Sequence, residues 1–430
     1  MEFLPEKCKK HFNALDITEQ TAREIMKRFD NEINLGLGAK THKKAVVKCF
    51  PTYVQDLPTG QEKGKFLALD LGGTNFRVLV VTLDGGNFDM QSKIYAIPQE
   101  IMKGACNMLF DHIASCLADF IKEQALEETD LPLGFTFSFP LTQMGLTKGI
   151  LERWNKGFNV SGVVGKDVVQ LLEEAIRKRG DIKIQITAVI GFIVGSNACY
   201  VEKVEKVELF DGDKSKPYVI INTESGAFGD DGKLNFIRTE FDKEVDKKSI
   251  NKGKQINEKL VSGMYLGELV RVTLCKLTKE KALFGGKIND KLKKKDLFTT
   301  VMISEIAADA AGIFDNTKKI LEEEFDYPNA TENECAIVQL VCEKYIQRAA
   351  HMCAIVLASL INRIGESKIT VGVDGSVYRF HPQFHDLMVK FMTPLVNPGI
   401  EFDLMLSEDG SGRGAALVAA TAASALAPSE

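Results

Sequence analysis

Two periods alternate along this chain. Apolar residues at every third or fourth position mark helices, and unbroken apolar runs rich in β-branched residues mark strands. Residues 18–35 carry Ile25, Met26, Phe29 and Ile33 at helical spacing, with Thr18 placed as N-cap. The same spacing predicts one long amphipathic helix over 101–126, with Met108, Leu109, Ile113, Leu117, Phe120 and Ile121 on one face. Another covers 168–176 and closes in a basic turn, Arg177-Lys178-Arg179, before Gly180. Strand-like runs fall at 66–83, 131–139, 182–194, 217–223 and 368–374, and helical patterns dominate 256–364. The alanine-rich tail, 415–427, reads as a helix entered through Gly412 and Gly414. Strands, then helices, then further glycine turns predict an α/β chain of two lobes with a cleft between them.

Composition narrows this picture without redirecting it. At 430 residues the chain is long for one core, which agrees with two lobes. A hydrophobic share of 45% and a charged share of 26% are those of a soluble globular protein. The net charge of -5 gives no reason to expect nucleic-acid binding, and the basic cluster at 291–295 reads as a solvated face. Nine cysteines form no C-x-x-C pair and mostly lie in apolar stretches, as suits reduced thiols. The six histidines show no metal-ligating spacing, and His381 and His385 read as structural. No apolar run reaches membrane-span length and the N-terminus has no signal-peptide core, so the expected location is the cytosol.

The richest chemistry lies in 66–81, two apolar segments around Asp70-Leu71-Gly72-Gly73-Thr74-Asn75. Glycines let backbone N–H groups approach a phosphate, Thr74 and Asn75 can donate to its oxygens, and Asp70 can hold a metal through water. A strand–turn–strand differs from the strand–turn–helix of a dinucleotide site, and no Gly-Lys-Ser/Thr of a P-loop follows. The competing reading is an ordinary Gly-Gly hairpin. Later turns are similar: Gly195-Ser196-Asn197, Asp374-Gly375-Ser376, and Gly410-Ser411-Gly412 opening the tail helix, whose N-terminus attracts phosphate. Ser138 stands among Phe135, Phe137 and Phe139, and the lone Trp154 precedes Asn155, Lys156 and Phe158. A few polar groups among aromatics suit a small polyol. Glu224 and Glu258 could each accept a pair of sugar hydroxyls, although alone each reads as a solvated surface acid.

Together these segments resemble the hexokinase family, which includes glucokinase, from Thr41-His42 to the alanine-rich tail. The resemblance implies an actin-like ATPase (ribonuclease H-like) two-lobe α/β fold with an interlobe cleft. It places an N-terminal region at 1–189 and a C-terminal region at 190–430, whose last helix returns to the small lobe. It also implies an enzyme: ATP:hexose 6-phosphotransfer, glucose to glucose 6-phosphate, at the start of glycolysis. ATP and Mg2+ are the implied cofactors, with the metal carried by ATP near Asp70 through water and no direct protein ligand. A hexose is the implied partner of a single-unit, monomeric chain.

By position, Asp70, Gly72, Gly73, Thr74, Asn75 and Arg77 match the family's first phosphate loop, and Gly195 and Ser196 its second. Ser138, Phe139, Asn155, Lys156, Asn197, Glu224 and Glu258 match hexose contacts. Asp374, Gly375 and Ser376 match the adenosine motif, and Gly410, Ser411 and Gly412 the turn beside it.

The sequence departs from the family in three places. Asn155 replaces a threonine and Ser225 a tryptophan. Between Gln185 and Asn197 the family's Asn-Asp-Thr is absent, so no general-base aspartate can be assigned, and the second loop lacks its Thr-Gly. The run 184–194 is continuously apolar, as if two strands were fused, and the dozen or so residues of a crossover are missing. A positioned base supplies roughly 10²–10⁴-fold in rate. The chain is therefore expected to be an impaired phosphotransferase, with a sugar-binding or regulatory pseudokinase as the alternative. Loss of a segment in splicing or gene prediction would give the same junction.

Overall fold

A computed structural model describes residues 5–154, 157–191, 195–407 and 409–426. Its contacts form two units. The sheet unit holds Cys49–Val194, Cys199–Asn222 and Glu408–Glu430; the helical unit holds Met1–Lys48, Gly195–Ala198 and Thr223–Ser407. This division does not follow the split at 189/190, because Met1–Lys48 groups with the later chain and Cys199–Asn222 with the earlier.

The strands of the sheet unit are β1 (Phe50–Pro51), β2 (Lys63–Leu71), β3 (Asn75–Asp84), β4 (Asn87–Ala96), β5 (Leu131–Phe137), β6 (Leu141–Gly145), β7 (Lys148–Leu151), β8 (Ile184–Gly191), β9 (Cys199–Lys203) and β10 (Tyr218–Asn222). Its main sheet runs β4-β3-β2-β5-β8, antiparallel through β2, β3 and β4 and parallel through β2, β5 and β8. Both faces are covered, which is why its central strands read as apolar runs rather than as alternation. Leu67, Leu69, Leu71, Phe135 and Phe137 pack against the helices Cys106–Glu123 and Val168–Arg179. Phe66 and Ala68 turn the other way, toward Ala415, Ala416 and Ala420 of the tail helix, Gly410–Leu426. That helix seats so closely that a Cβ at Gly134 would lie 2.0 Å from the Ala415 carbonyl oxygen. Smaller sheets are β1-β10-β9 and β6-β7.

Among the described residues the strands of the helical unit are β11 (Lys368–Val373) and β12 (Glu401–Leu406), a parallel pair. Its longest helix, Glu332–Ile364, starts in a Thr331/Glu334 capping box and stops at Gly365 in the left-handed region. On it, Arg348 is buried and forms two hydrogen bonds with Asp242, at 2.8 and 2.7 Å. Thr18 caps Glu19–Leu37 by accepting from the Thr21 N–H, as its position predicts.

The sequence expectations needed three adjustments. The single helix expected over 101–126 is two, Gln99–Met102 and Cys106–Glu123. They part at Gly104, where a Cβ would lie 2.8 Å from the Glu100 carbonyl oxygen. The run expected over 182–194 is strand from Ile184 to Gly191, and 192–194 fall outside the described residues. Strands β1, β4, β6, β7, β9 and β12 were not expected. Among the described residues no helix is long and apolar enough to cross a membrane, and all nine cysteines are free thiols.

Candidate functional site

In the sheet unit the turn between β2 and β3 holds Gly72, Gly73 and Thr74, with Asp70 opposite Arg77 in the ladder. Neither glycine has a positive φ, and a Cβ on either would meet nothing within 4 Å. The turn does join an antiparallel pair, but it is not the type I′ Gly-Gly turn of an ordinary hairpin, which would need positive φ at both. The fold does not demand these glycines, and the space before them is open. That is the cradle a phosphate needs.

The tail helix reaches this turn from the same unit. Ser411 Oγ donates to Asp70 Oδ2 at 2.7 Å, and Asp409 pairs with Arg77. Gly412 serves packing, since a Cβ there would lie 2.7 Å from Leu79. Thr136 lies opposite Asp70 in the β2–β5 ladder and so shares its face. Its hydroxyl is buried without a hydrogen-bond partner. The Ser138 N–H donates to the Leu71 carbonyl at 2.9 Å, which holds this serine beside the glycine turn. The Phe139 ring is fully buried against Trp154 and Phe158, at centroid distances of 4.9 and 5.0 Å. The ring is therefore packed within the core of the sheet unit. Asn155 and Lys156 lie outside the described residues.

A second cluster forms within the helical unit, from three loops that interlock. Asn197 Oδ1 accepts from the N–H groups of Ala198 at 2.8 Å and Ser225 at 3.3 Å, and its Nδ2 donates to Glu224 Oε1 at 3.5 Å. Glu224 has φ 56°, a left-handed conformation that costs a non-glycine residue about 1–3 kcal/mol. Strain of this kind is held by surrounding structure: a Cβ at Gly226 would lie 2.4 Å from Gln255 Oε1 and 2.8 Å from the Ser196 carbonyl oxygen. A Cβ at Gly195 would lie 2.5 Å from the Glu258 carboxyl carbon, so the second loop rests directly on that acid. Glu224 and Glu258 are both buried, against the surface reading each would have alone. Burial pushes Glu258 up to about 7; Lys259 opposes this, and the Glu224 and Asp230 charges add to it.

The third predicted turn, Asp374-Gly375-Ser376, also lies in the helical unit. Gly375 has φ 148°, which a side chain rarely adopts. Val377, next in line, packs 3.0 Å from the Cβ position of Gly263. Motif reasoning missed Asn257, Asp230 and Thr136. Only the adjacency of Asn257 to Glu258, and the two-residue step from Thr136 to Ser138, could have flagged them. A surface cavity of about 620 Å³ on the β9–β10 hairpin, lined by Lys203, Glu205, Glu208, Lys214, Lys216 and Tyr218, contains none of the predicted residues. Its mixed, solvated charges make it a weaker candidate than the loops above.

Similarity to known proteins follows the same motifs. Two family models described as hexokinase match residues 7–197 and 188–421. Human hexokinase-2 is 45% identical over 447 positions, covering 97% of this chain and 48% of that protein; mouse hexokinase-1 is 42% identical over 97% and 45%. The chain thus spans about half the length of the curated relatives it matches. An alignment of 447 positions exceeds the 430 residues of the chain, so the human protein carries aligned residues that this chain lacks. The solved structure of a Schistosoma mansoni hexokinase complexed with glucose has a TM-score of 0.85 and 41% identity, covering 97% of this chain and 98% of that one. A second hexokinase crystal structure matches at TM-score 0.85 and 27% identity, over the same shares. Fold, motifs and relatives agree, and the chain belongs to the hexokinase family.

Proposed function

We propose that this chain binds a hexose and Mg-ATP as an ATP:hexose 6-phosphotransferase that lacks its general base. The open Gly72–Gly73 cradle, tied through Asp70 and Ser411 to the tail helix, is the observation that carries the nucleotide half. Asn197, Glu224 and Glu258 supply the sugar half, because two carboxylates and an amide offer several acceptors to hydroxyl donors. The Schistosoma relative holds glucose in its structure, which supports a hexose as ligand.

Phosphoryl transfer depends mostly on positioning and on charge stabilisation. Backbone N–H groups of the first turn, with Thr74, Asn75 and Arg77, would orient the phosphates. Mg2+ would neutralise phosphate charge there. Asp70 and the unpartnered Thr136 hydroxyl are oxygen groups on one face, and they fit a hydrated hard cation. Glu224 and Glu258 would fix the sugar ring.

What is lacking is a proton acceptor for the attacking hydroxyl. β8 runs from Ile184 to Gly191 and carries no carboxylate. The human relative carries aligned residues that this chain lacks, which is in keeping with the loss of a segment. Loss of a base lowers turnover by about 10²–10⁴-fold. Glucose titration by calorimetry, followed by Mg-ATP and an assay for glucose 6-phosphate, tests this. Binding with slow product is expected. Product at the rate of human hexokinase-2 would overturn the impairment, and binding with none would favour the pseudokinase.

A further inference from the structure

The loops 195–197, 224–227 and 255–258 meet within the helical unit around two buried carboxyl groups. Glu224 and Glu258 are each 8% exposed. Gly195 has no room for a Cβ against the Glu258 carboxyl, so backbone rather than water covers that side of the acid. Asn257 is 2% exposed; its Nδ2 donates to the Ser225 carbonyl at 3.2 Å, which places it beside Glu224. Its Oδ1 is left buried without a hydrogen-bond partner at the same junction. Among the described residues Glu258 thus shares a buried junction with a second carboxyl group and with an amide oxygen that no donor reaches. A carboxyl group in that position is stabilised by keeping its proton until donors arrive.

We propose that hexose binding to this cluster is coupled to proton release: the sugar hydroxyls supply the donors, and Glu258 gives up its proton as they bind. The proposal rests on the hexose reading above and adds its control.

Among the described residues the charged groups facing Glu258 are Glu224 on the neighbouring loop, Asp230 beyond it, and Lys259 on its own helix; the Tyr265 hydroxyl also feels its charge. Lys259 cannot neutralise the pair fully, because its Nζ is engaged by Asp246 Oδ1 at 2.7 Å and the Asn251 carbonyl at 2.9 Å. Loop 195–197 contributes no charge. With Glu258 near 7, the acid form prevails below that pH and the ionised form above it. A sugar that binds only the ionised form therefore binds more weakly as pH falls through 7 and equally well at all higher pH.

Calorimetric glucose titration of the full chain at pH 6, 7 and 8, each in two buffers of unlike ionisation heat, reads the coupling directly. About half a proton should leave per glucose at pH 7, and affinity at pH 6 should be about tenfold below that at pH 8. Asp230→Asn keeps an acceptor for the Ile256 N–H, 3.0 Å away, but removes one charge, so the midpoint should move to lower pH. Glu258→Gln should weaken binding and abolish proton release, with thermal unfolding confirming a folded chain. Glucose bound with flat affinity and no buffer dependence overturns the coupling and leaves the hexose reading intact. No glucose binding at any pH overturns both.

Discussion

The two units solve the same problem unequally. In the sheet unit, β5 has a hydrogen-bonded neighbour on each side, and all but one of its residues is buried. In the helical unit, β11 has one neighbour, β12, and its residues alternate between exposed and half-buried. On β12, Met405 is 52% and Leu406 36% exposed. Parallel strands are normally covered on both faces, and two strands alone are marginal. The proposed loss near residues 184–194 offers one account of the contrast. Residues 184–194 carry enough apolar sequence for two strands, and the structure places Ile184–Gly191 beside β5. Nothing comparable pairs the free edge of β11 among the described residues. If, as proposed above, a shortening there removes the base, the same loss would leave the helical unit with its sheet of two strands.

Restoring the missing piece is the strongest way to break this comparison. Inserting the Asn-Asp-containing segment of human hexokinase-2 between Val189 and Ile190 should raise the rate of glucose 6-phosphate formation by about 10²–10⁴-fold. Native-state hydrogen exchange should change with it. In the chain as it stands, β5 amides should exchange only through global unfolding and β11 amides through local opening. The insertion should slow β11 selectively. Unchanged turnover with unchanged β11 exchange would show that the two losses are unrelated.

Paired glycine substitutions sharpen the packing side. Gly134→Ala drives a Cβ into the Ala415 carbonyl oxygen, so it should cost about 3 kcal/mol as the tail helix is displaced. Gly372→Ala in β11 meets nothing nearer than Ser407 Cβ at 3.5 Å and should be neutral or stabilise by up to about 1 kcal/mol. Denaturant unfolding of both variants reads the difference. A tolerated Gly134→Ala would mean that the tail helix seats less tightly in solution.

How far the sequence reveals these differences depends on the range of the interaction. Thr18, Gly180 and the basic turn before it act locally, so the helix ends they set are legible from the sequence. Gly104 is not: the break it makes depends on how two turns pack. β9 and β12 are short and lack a long apolar run, which hides them from pattern reading. In the candidate site, Asp70, Glu224 and Glu258 are visible because their motifs are ordered along the chain. Burial of Glu224 and Glu258 comes from loops 27 or more residues apart in sequence, and no spacing within one segment reports it. The same holds for the Thr136 hydroxyl and for Asn257 Oδ1.

Burial of Glu258 has its own signature in stability. Its carboxyl binds a proton more tightly folded than unfolded, so between about 4.5 and about 7 the native state holds more protons. Stability therefore falls as pH rises through that window, and the penalty is fully present above it. Allowing for screening of a partly solvated group, the loss is on the order of 2 kcal/mol. Glu258→Gln should flatten this slope in denaturation experiments between pH 4.5 and 7.5. An unchanged slope would place the acid in water.

The smallest expected effect tests the face of the sheet unit shared by Asp70 and Thr136. A buried hydroxyl without a partner is a cost, and valine matches threonine in shape. Thr136→Val should therefore raise stability by about 1 kcal/mol, since the replacement removes only the unpaired polar group. If that hydroxyl is kept for a hydrated cation beside Asp70, the same variant should bind Mg-ATP a few-fold more weakly, while Thr136→Ser should restore binding. Stability gained with nucleotide affinity lost would identify the face as one held ready for a ligand at some expense of packing. Stability lost would mean that the hydroxyl already has a partner in solution, and the face would then not be one held ready for a ligand.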